Sequence, residues 1–152
     1  MKENLFGKTL TELTEIVKSI GFAAFTARQL ADWLYKKHIT DINKMTNLSL
    51  KFREALSSEF ASKNEEPCGV QASADGTKKY LFKIHSGDFI ESVYIPDDDR
   101  ATLCVSSQAG CRMGCRFCMT ARQGFQTNLT AGEILNQIFS IPGSDKLTNI
   151  VY

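Results

Sequence analysis

The sequence predicts an α/β protein in which a helical segment and a small antiparallel sheet precede the opening strand, helix and strand of a larger parallel sheet. Three observations carry this. Apolar residues recur at helical spacing up to Phe60, alternate with period two after Pro67, and return in the order strand, loop, helix, strand after Asp97. The division expected from these changes of pattern is an N-terminal accessory domain over 1–96 and the beginning of a second domain over 97–152.

Each element follows from local chemistry. Thr9-Leu10-Thr11-Glu12 has capping-box form, in which threonine and glutamate side chains satisfy reciprocal free amides at a helix start. Leu13, Ile16, Val17 and Ile20 follow at helical spacing, and Gly21 suits a left-handed stop. A second helix is expected from Thr26 through Lys37, with Leu30, Trp33 and Leu34 on one face. A third starts after Asn47 or Ser49 and carries Leu50, Phe52, Leu56 and Phe60. These apolar residues read as core; Trp33 alone has a rival reading, as a ring on which a base could stack.

Ala74-Asp75-Gly76 is a hairpin turn, because Asp-Gly accepts the positive backbone dihedrals that a tight turn needs. The run from Lys79 to Ile84 then alternates as a strand with one wetter face. Ser86-Gly87-Asp88 makes a second turn, and Phe89 to Ile95 a further strand ending at Pro96. Asp97-Asp98-Asp99-Arg100 is a short acidic connector, and Thr102 to Ser106 is the next strand. Thr130 and Glu133 form a second capping box ahead of Ile134, Leu135, Ile138 and Phe139. Pro142-Gly143 stops that helix, and Asn149 to Tyr152 reads as a strand. The unit is βαβ, with a cysteine-bearing loop at the carboxyl end of its first strand, where barrel enzymes place their chemistry. One such unit cannot close a barrel, so the chain reads as the N-terminal portion of a larger protein.

Composition narrows the class. The N-terminus lacks the apolar run of a signal peptide, and no window approaches the ~18 apolar residues of a membrane span. The expectation is a cytoplasmic protein with no membrane association, and five cysteines, three of them clustered, suit a reducing compartment. Lys+Arg total 18 against 17 Asp+Glu, so net charge carries no nucleic-acid signal and any such contact has to come from local patches.

The loop is the chemical centre of the sequence. Cys111, Cys115 and Cys118 stand in the stretch Ala109-Gly110-Cys111-Arg112-Met113-Gly114-Cys115-Arg116-Phe117-Cys118-Met119. Three thiolates can bind three irons of a [4Fe–4S] cube and leave the fourth open to a substrate or cosubstrate. A structural zinc site is the main rival, with Cys104, His38 or His85 supplying a fourth ligand, but a complete second Cys-x2-Cys pair is absent. Ferredoxin-type clusters use four cysteines, and a disulfide fits the expected compartment least.

Cys-x3-Cys-x2-Cys with an aromatic before the third cysteine resembles the signature of the radical S-adenosylmethionine (SAM) enzymes. Across nearly its whole length the chain is similar to the bacterial radical-SAM adenosine-C2 methyltransferases of 23S ribosomal RNA and tRNA. The words that carry the likeness include Asn4-Leu5-Phe6-Gly7, Ala27-Arg28-Gln29-Leu30, Met45-Thr46-Asn47-Leu48-Ser49, Glu91-Ser92-Val93-Tyr94-Ile95-Pro96, and the run from Arg100 to Cys111. Gln123-Gly124-Phe125 and Asn128-Leu129-Thr130 extend it past the cysteines.

The resemblance implies an accessory RNA-binding domain followed by a partial (β/α)6 barrel, a [4Fe–4S] cluster on Cys111, Cys115 and Cys118, and SAM on its open iron. It implies that one SAM methylates a cysteine beyond this chain and that radical cleavage of a second activates the methyl group for addition to adenine C2. Cys104, seven residues before Cys111, matches the cysteine that resolves the covalent enzyme–RNA adduct through a transient disulfide bond, although a cysteine in a Val/Leu-rich strand can simply pack. Glu91 matches the glutamate assigned as proton acceptor; without the resemblance it reads as a surface charge. Cys68 stands outside the family's words and reads as a small apolar residue.

Arg112, Arg116 and Arg122 around the loop, and Lys51, Arg53, Lys78, Lys79 and Lys83 upstream, are candidates for phosphate contact or plain surface charges. The implied partners are 23S rRNA, tRNA and an electron donor such as flavodoxin or ferredoxin, with the full-length enzyme a monomer. The family's Gly-Met-Gly-Glu-Pro segment and its methyl-carrying cysteine have no counterpart here, so turnover by these 152 residues alone is not expected. The rival readings are the related adenine-C8 methyltransferase and a non-catalytic iron–sulfur or zinc RNA-binding module.

Overall fold

A computed structural model describes residues 2–152. The chain divides into two compact units, Met1–Asn64 and Glu65–Tyr152.

In the first unit β1 (Glu3–Asn4) leads to α1 (Leu10–Ser19), α2 (Phe25–Ala31), a π-helical turn (Asp32–Lys36), a 3-10 turn (Ile42–Lys44), α3 (Leu50–Glu59) and β2 (Phe60–Ala61). The predicted capping box is formed: Thr9 Oγ1 accepts from the Glu12 amide while the Glu12 carboxylate accepts from the Thr9 amide at 2.7 Å. Ser49 caps α3 by accepting from the Phe52 amide. Leu13, Val17, Leu30, Leu34, Phe52 and Leu56 close the core, and the Phe22 ring packs edge-on against Phe52 at 4.9 Å. The single helix expected over Thr26–Lys37 instead widens into the π turn after Ala31, and the chain then leaves it through His38 at φ 55. Trp33 belongs to the core at 7% exposure. Its indole donates to Asn47 Oδ1, and the Lys37 ammonium lies 3.5 Å above its ring, so the ring already has its partners. β1 and β2 form a short parallel pair through Glu3↔Phe60 and Asn4↔Ala61.

The second unit is built on a five-stranded sheet. β3 (Gly69–Ala72), β4 (Lys78–Lys83), β5 (Phe89–Pro96) and β6 (Ala101–Cys104) run antiparallel in sequence order, and β9 (Asn149–Val151) pairs parallel with β6. Between β6 and β9 lie β7 (Gln108–Ala109), α4 (Met119–Arg122), β8 (Thr127–Asn128) and α5 (Ala131–Phe139). The βαβ unit is present as expected from the sequence. The compact division, however, falls after Asn64 rather than after Pro96. β5 continues its hydrogen-bonded ladder into β6 from Val93↔Cys104 to Pro96↔Ala101, so the meander shares a sheet with the βαβ strands and no break in packing separates them.

Strand alternation sorts the side chains of this sheet. Tyr80, Phe82, Ile90 and Leu103 face the core, where Ile138 of α5 and Ile141 join them. Residues of opposite parity, including Lys79, Leu81, Glu91, Val93 and Cys104, occupy the other face. Among the described residues no helix is long and apolar enough to cross a membrane.

Candidate functional site

Cys111, Cys115 and Cys118 lie on a loop closed at its neck by backbone alone. β7 and β8 pair antiparallel through Gln108↔Asn128 and Ala109↔Thr127, and the Gln126 amide donates to the Ala109 carbonyl at 2.9 Å. Directly above, Gly110 at φ 70 meets Gly124 at φ 72. A Cβ built on Gly110 would stand 1.6 Å from the Gly124 carbonyl oxygen, so only glycine permits this crossing, on grounds of both space and dihedral.

Inside the neck the loop braces itself. The Arg112 guanidinium lies 3.9 Å over the Phe125 ring, and Arg122 Nη2 donates to the Arg116 carbonyl at 3.2 Å. Two of the three arginines expected near phosphates thus have intramolecular partners. Met113, Phe117 and Met119 project outward, Phe117 at 91% exposure.

All five cysteines are free thiols. Cys118 stands at the start of α4, and the amides of Ala121 and then Thr120 lower its pKa by favouring the thiolate over the thiol. The donor set therefore suits an iron–sulfur cluster by type: three thiols on one glycine-bearing loop, one of them already biased toward the form that ligates metal. Among the described residues, though, no three His, Cys, Asp or Glu side chains converge into a metal-binding group. The loop presents the three cysteines together in chain position without gathering their sulfurs at a point.

Glu91 and Cys104 share a sheet face. Val93 is directly opposite Cys104 on the neighbouring strand, and Glu91 is two residues from Val93 and so on its side. Glu91 Oε1 accepts from the Lys79 ammonium at 3.0 Å, which gives this lysine, a candidate for phosphate contact, a carboxylate partner instead. Glu91 also lines a cavity of about 460 Å³ with Ser106, Gln108, Gly110, Thr120 and Gln123. The cavity thus runs from the expected proton acceptor to the neck of the cysteine loop. Cys104, Cys111, Cys115 and Cys118 are not part of its lining. Cys68 lies apart, exposed rather than packed, with its thiol donating to the Leu81 carbonyl at 3.3 Å.

Three parts of this site were not drawn from the sequence: the Gly110–Gly124 crossing, Ser106, and the buried Gln137 that holds it. A glutamine amid Ile134, Leu135 and Ile138 on an otherwise apolar helix face was the available signal for the last.

Residues 3–61 match the family model described as Ribosomal RNA large subunit methyltransferase N-terminal domain. A probable dual-specificity RNA methyltransferase RlmN from Bacteroides fragilis is 55% identical over 150 residues, covering 99% of this chain and 44% of the relative. A dual-specificity RNA methyltransferase RlmN from Geotalea uraniireducens is 45% identical over 144 residues, covering 95% of this chain and 42% of its own. Among solved structures, a radical SAM methyltransferase from Sphaerobacter thermophilus superposes with a TM-score of 0.83 at 36% identity, over 97% of this chain and 45% of that one. The chain therefore spans under half the length of the relatives it matches. Its likeness to these RNA methyltransferases and to the radical SAM methyltransferase structure runs through both units and the cysteine loop.

Proposed function

We propose that the protein carrying this chain methylates C2 of adenosine in 23S rRNA and in tRNA by radical-SAM chemistry. The observation that carries the reading is the neck-closed loop bearing Cys111, Cys115 and Cys118, in a chain 55% identical over 150 residues to a probable dual-specificity RNA methyltransferase. In this reading the three cysteines hold a [4Fe–4S] cluster, the strands from β6 onward open a partial (β/α)6 barrel, and the helical part of the accessory region contributes RNA binding.

When bound, the cluster and SAM supply the one-electron cleavage that ordinary methyl transfer to an electron-poor ring carbon lacks. The chain's own residues bind, orient and manage protons. Glu91, charge-paired with Lys79, takes the C2 proton at a carboxylate oxygen from the cavity it lines. Cys104, on the same sheet face, supplies the thiolate that attacks the sulfur of the methyl-carrying cysteine. The disulfide bond forms as the sulfur–carbon bond to the RNA breaks, and the electron pair leaves with that carbon, which takes up a proton to become the methyl group. The neck at Gly110 and Gly124 fixes where the ligand-bearing loop leaves the sheet.

Anaerobic reconstitution followed by EPR with and without SAM, and mass spectrometry of adenosines from treated RNA, tests the reading. A SAM-perturbed [4Fe–4S] signal with 2-methyladenosine is expected. Bound zinc with unmodified RNA would point to a binding module, and 8-methyladenosine to the C8 enzyme.

A further inference from the structure

Gln137 is fully buried, at 0% exposure, on the face of α5 that packs against the sheet. Its Oε1 accepts from the Ser106 amide at 2.8 Å, and its Nε2 donates to the Ser106 carbonyl at 2.8 Å and to the Glu133 carbonyl at 3.3 Å. A side-chain amide here does what a neighbouring strand would do. β6 ends at Cys104, and the last ladder bond on that side runs from the Val105 amide to the Val151 carbonyl at 2.8 Å. One residue later the chain departs from the sheet, and the glutamine pairs the backbone donor and acceptor that the departure leaves without a strand.

The clamped residue connects to the site in two directions. Ser106 Oγ donates to the Glu91 carbonyl at 2.7 Å, tying the end of β6 to the strand that carries the proposed proton acceptor. Ser107, next in sequence, accepts from the Leu129 amide at 3.0 Å, which starts the approach of the two sides of the loop neck. Ser106, Glu91 and Gly110 all line the same cavity.

We propose that Gln137 is a positioning residue for the reaction: by holding both backbone groups of Ser106 it sets the cavity wall at Glu91 and the direction in which the chain enters the cysteine loop. This rests on the radical-SAM reading above. A glutamine needed only for stability would lower the melting temperature and leave the turnover of the folded protein alone. A positioning glutamine alters turnover in protein that remains folded and loaded with iron.

The test compares the wild-type protein carrying this chain with Gln137→Met, which keeps the volume and removes the hydrogen bonds, and Gln137→Glu, which keeps the acceptor and removes the donor. Ser106→Ala is the companion variant; it spares the clamp and cuts the tie to Glu91. Hydrogen exchange of residues 105–110 is read on each protein, and kcat and KM for RNA are read after reconstitution. Both Gln137 variants are expected to exchange at least tenfold faster at Ser106. Their kcat is expected to fall at least tenfold with KM within twofold, and Ser106→Ala to lose kcat in the same direction by about threefold.

Wild-type exchange and kcat in folded Gln137→Met and Gln137→Glu would overturn the proposal. Should both fail to fold, Ser106→Ala decides: reduced kcat with normal iron content supports it, and wild-type kcat overturns it. A wild-type protein that holds iron and methylates RNA upholds the underlying reading independently of how the variants behave, whereas one that does neither sinks that reading itself.

Discussion

A methyl group at Gly110 has no room. The Gly124 carbonyl oxygen occupies the place where a Cβ would stand, 1.6 Å away, and the φ of 70° disfavours any L side chain. Gly110→Ala is expected to cost about 3 kcal/mol, the sum of a left-handed backbone penalty and local overpacking. Urea titration followed by far-UV circular dichroism would show it as a lowered midpoint, and a midpoint equal to wild type would mean that the two backbones can part. Ser92 is the opposite case. Its hydroxyl is buried on β5, at 1% exposure for the residue, without a hydrogen-bond partner among the described residues. An unpaired buried hydroxyl is a cost already present in the fold, so Ser92→Ala should leave the melting temperature unchanged or raise it, within about 1 kcal/mol. A clear drop on calorimetry would reveal a partner for that hydroxyl.

At the scale of elements, Glu133 serves two purposes. One carboxylate oxygen accepts from the Thr130 amide and hydroxyl at the start of α5, and the other from the His85 amide in the turn between β4 and β5. Burial pushes its pKa up, but the hydrogen bonds from His85 and Thr130 outweigh this and leave it below the ordinary carboxylate range. A depressed folded-state value means that the ionised form stabilises the fold above the unfolded-state pKa, and that this contribution is lost as pH falls through the folded one. Glu133→Gln should therefore melt lower than wild type at pH 7, by the ~1 kcal/mol of a helix cap, with the gap closing toward pH 3. A gap that stays constant across that range would show that ionisation of Glu133 does not carry the effect.

Both capping boxes were legible in the sequence because the interacting groups lie three residues apart. The hairpin at Asp75-Gly76 was legible for the same reason, and Gly76 has the expected positive φ of 85°. The parallel pair β1–β2 was not: it joins two-residue strands from opposite ends of the first unit, and two residues carry no periodicity. The π turn after Ala31 escaped as well, since its apolar positions also satisfy an α-helical pattern. Of the candidate site, the cysteine loop is readable from spacing, whereas Glu91 and Cys104 are singled out by family likeness alone. Their common sheet face, the pairing of Glu91 with Lys79 and the clamp on Ser106 depend on strand register and on contacts 12 to 31 residues apart, which no local pattern encodes.

At the scale of the whole molecule, the two hydrophobic cores found among the described residues share no residue. One gathers around Leu13, Leu34 and Phe52, the other around Phe82, Leu103 and Ile138. Trp33, the chain's only tryptophan, belongs to the first and so reports on that core by fluorescence. Leu34→Ala should lower the fluorescence-detected unfolding midpoint by the ~2–5 kcal/mol typical of a buried leucine. Leu103→Ala should show its loss in the circular dichroism of the second unit's sheet. If Leu34→Ala left the tryptophan signal unmoved, the assignment of Trp33 to that core would be wrong.

The neck beneath the cysteine loop also changes what a protease would do. Arg112 and Arg116 are exposed on the loop and open to trypsin, while the backbone on either side is held together by β7, β8 and the Gly110–Gly124 crossing. A single cut there severs the chain without releasing either piece. The nicked protein should travel as one particle in gel filtration and separate into two fragments only in denaturant.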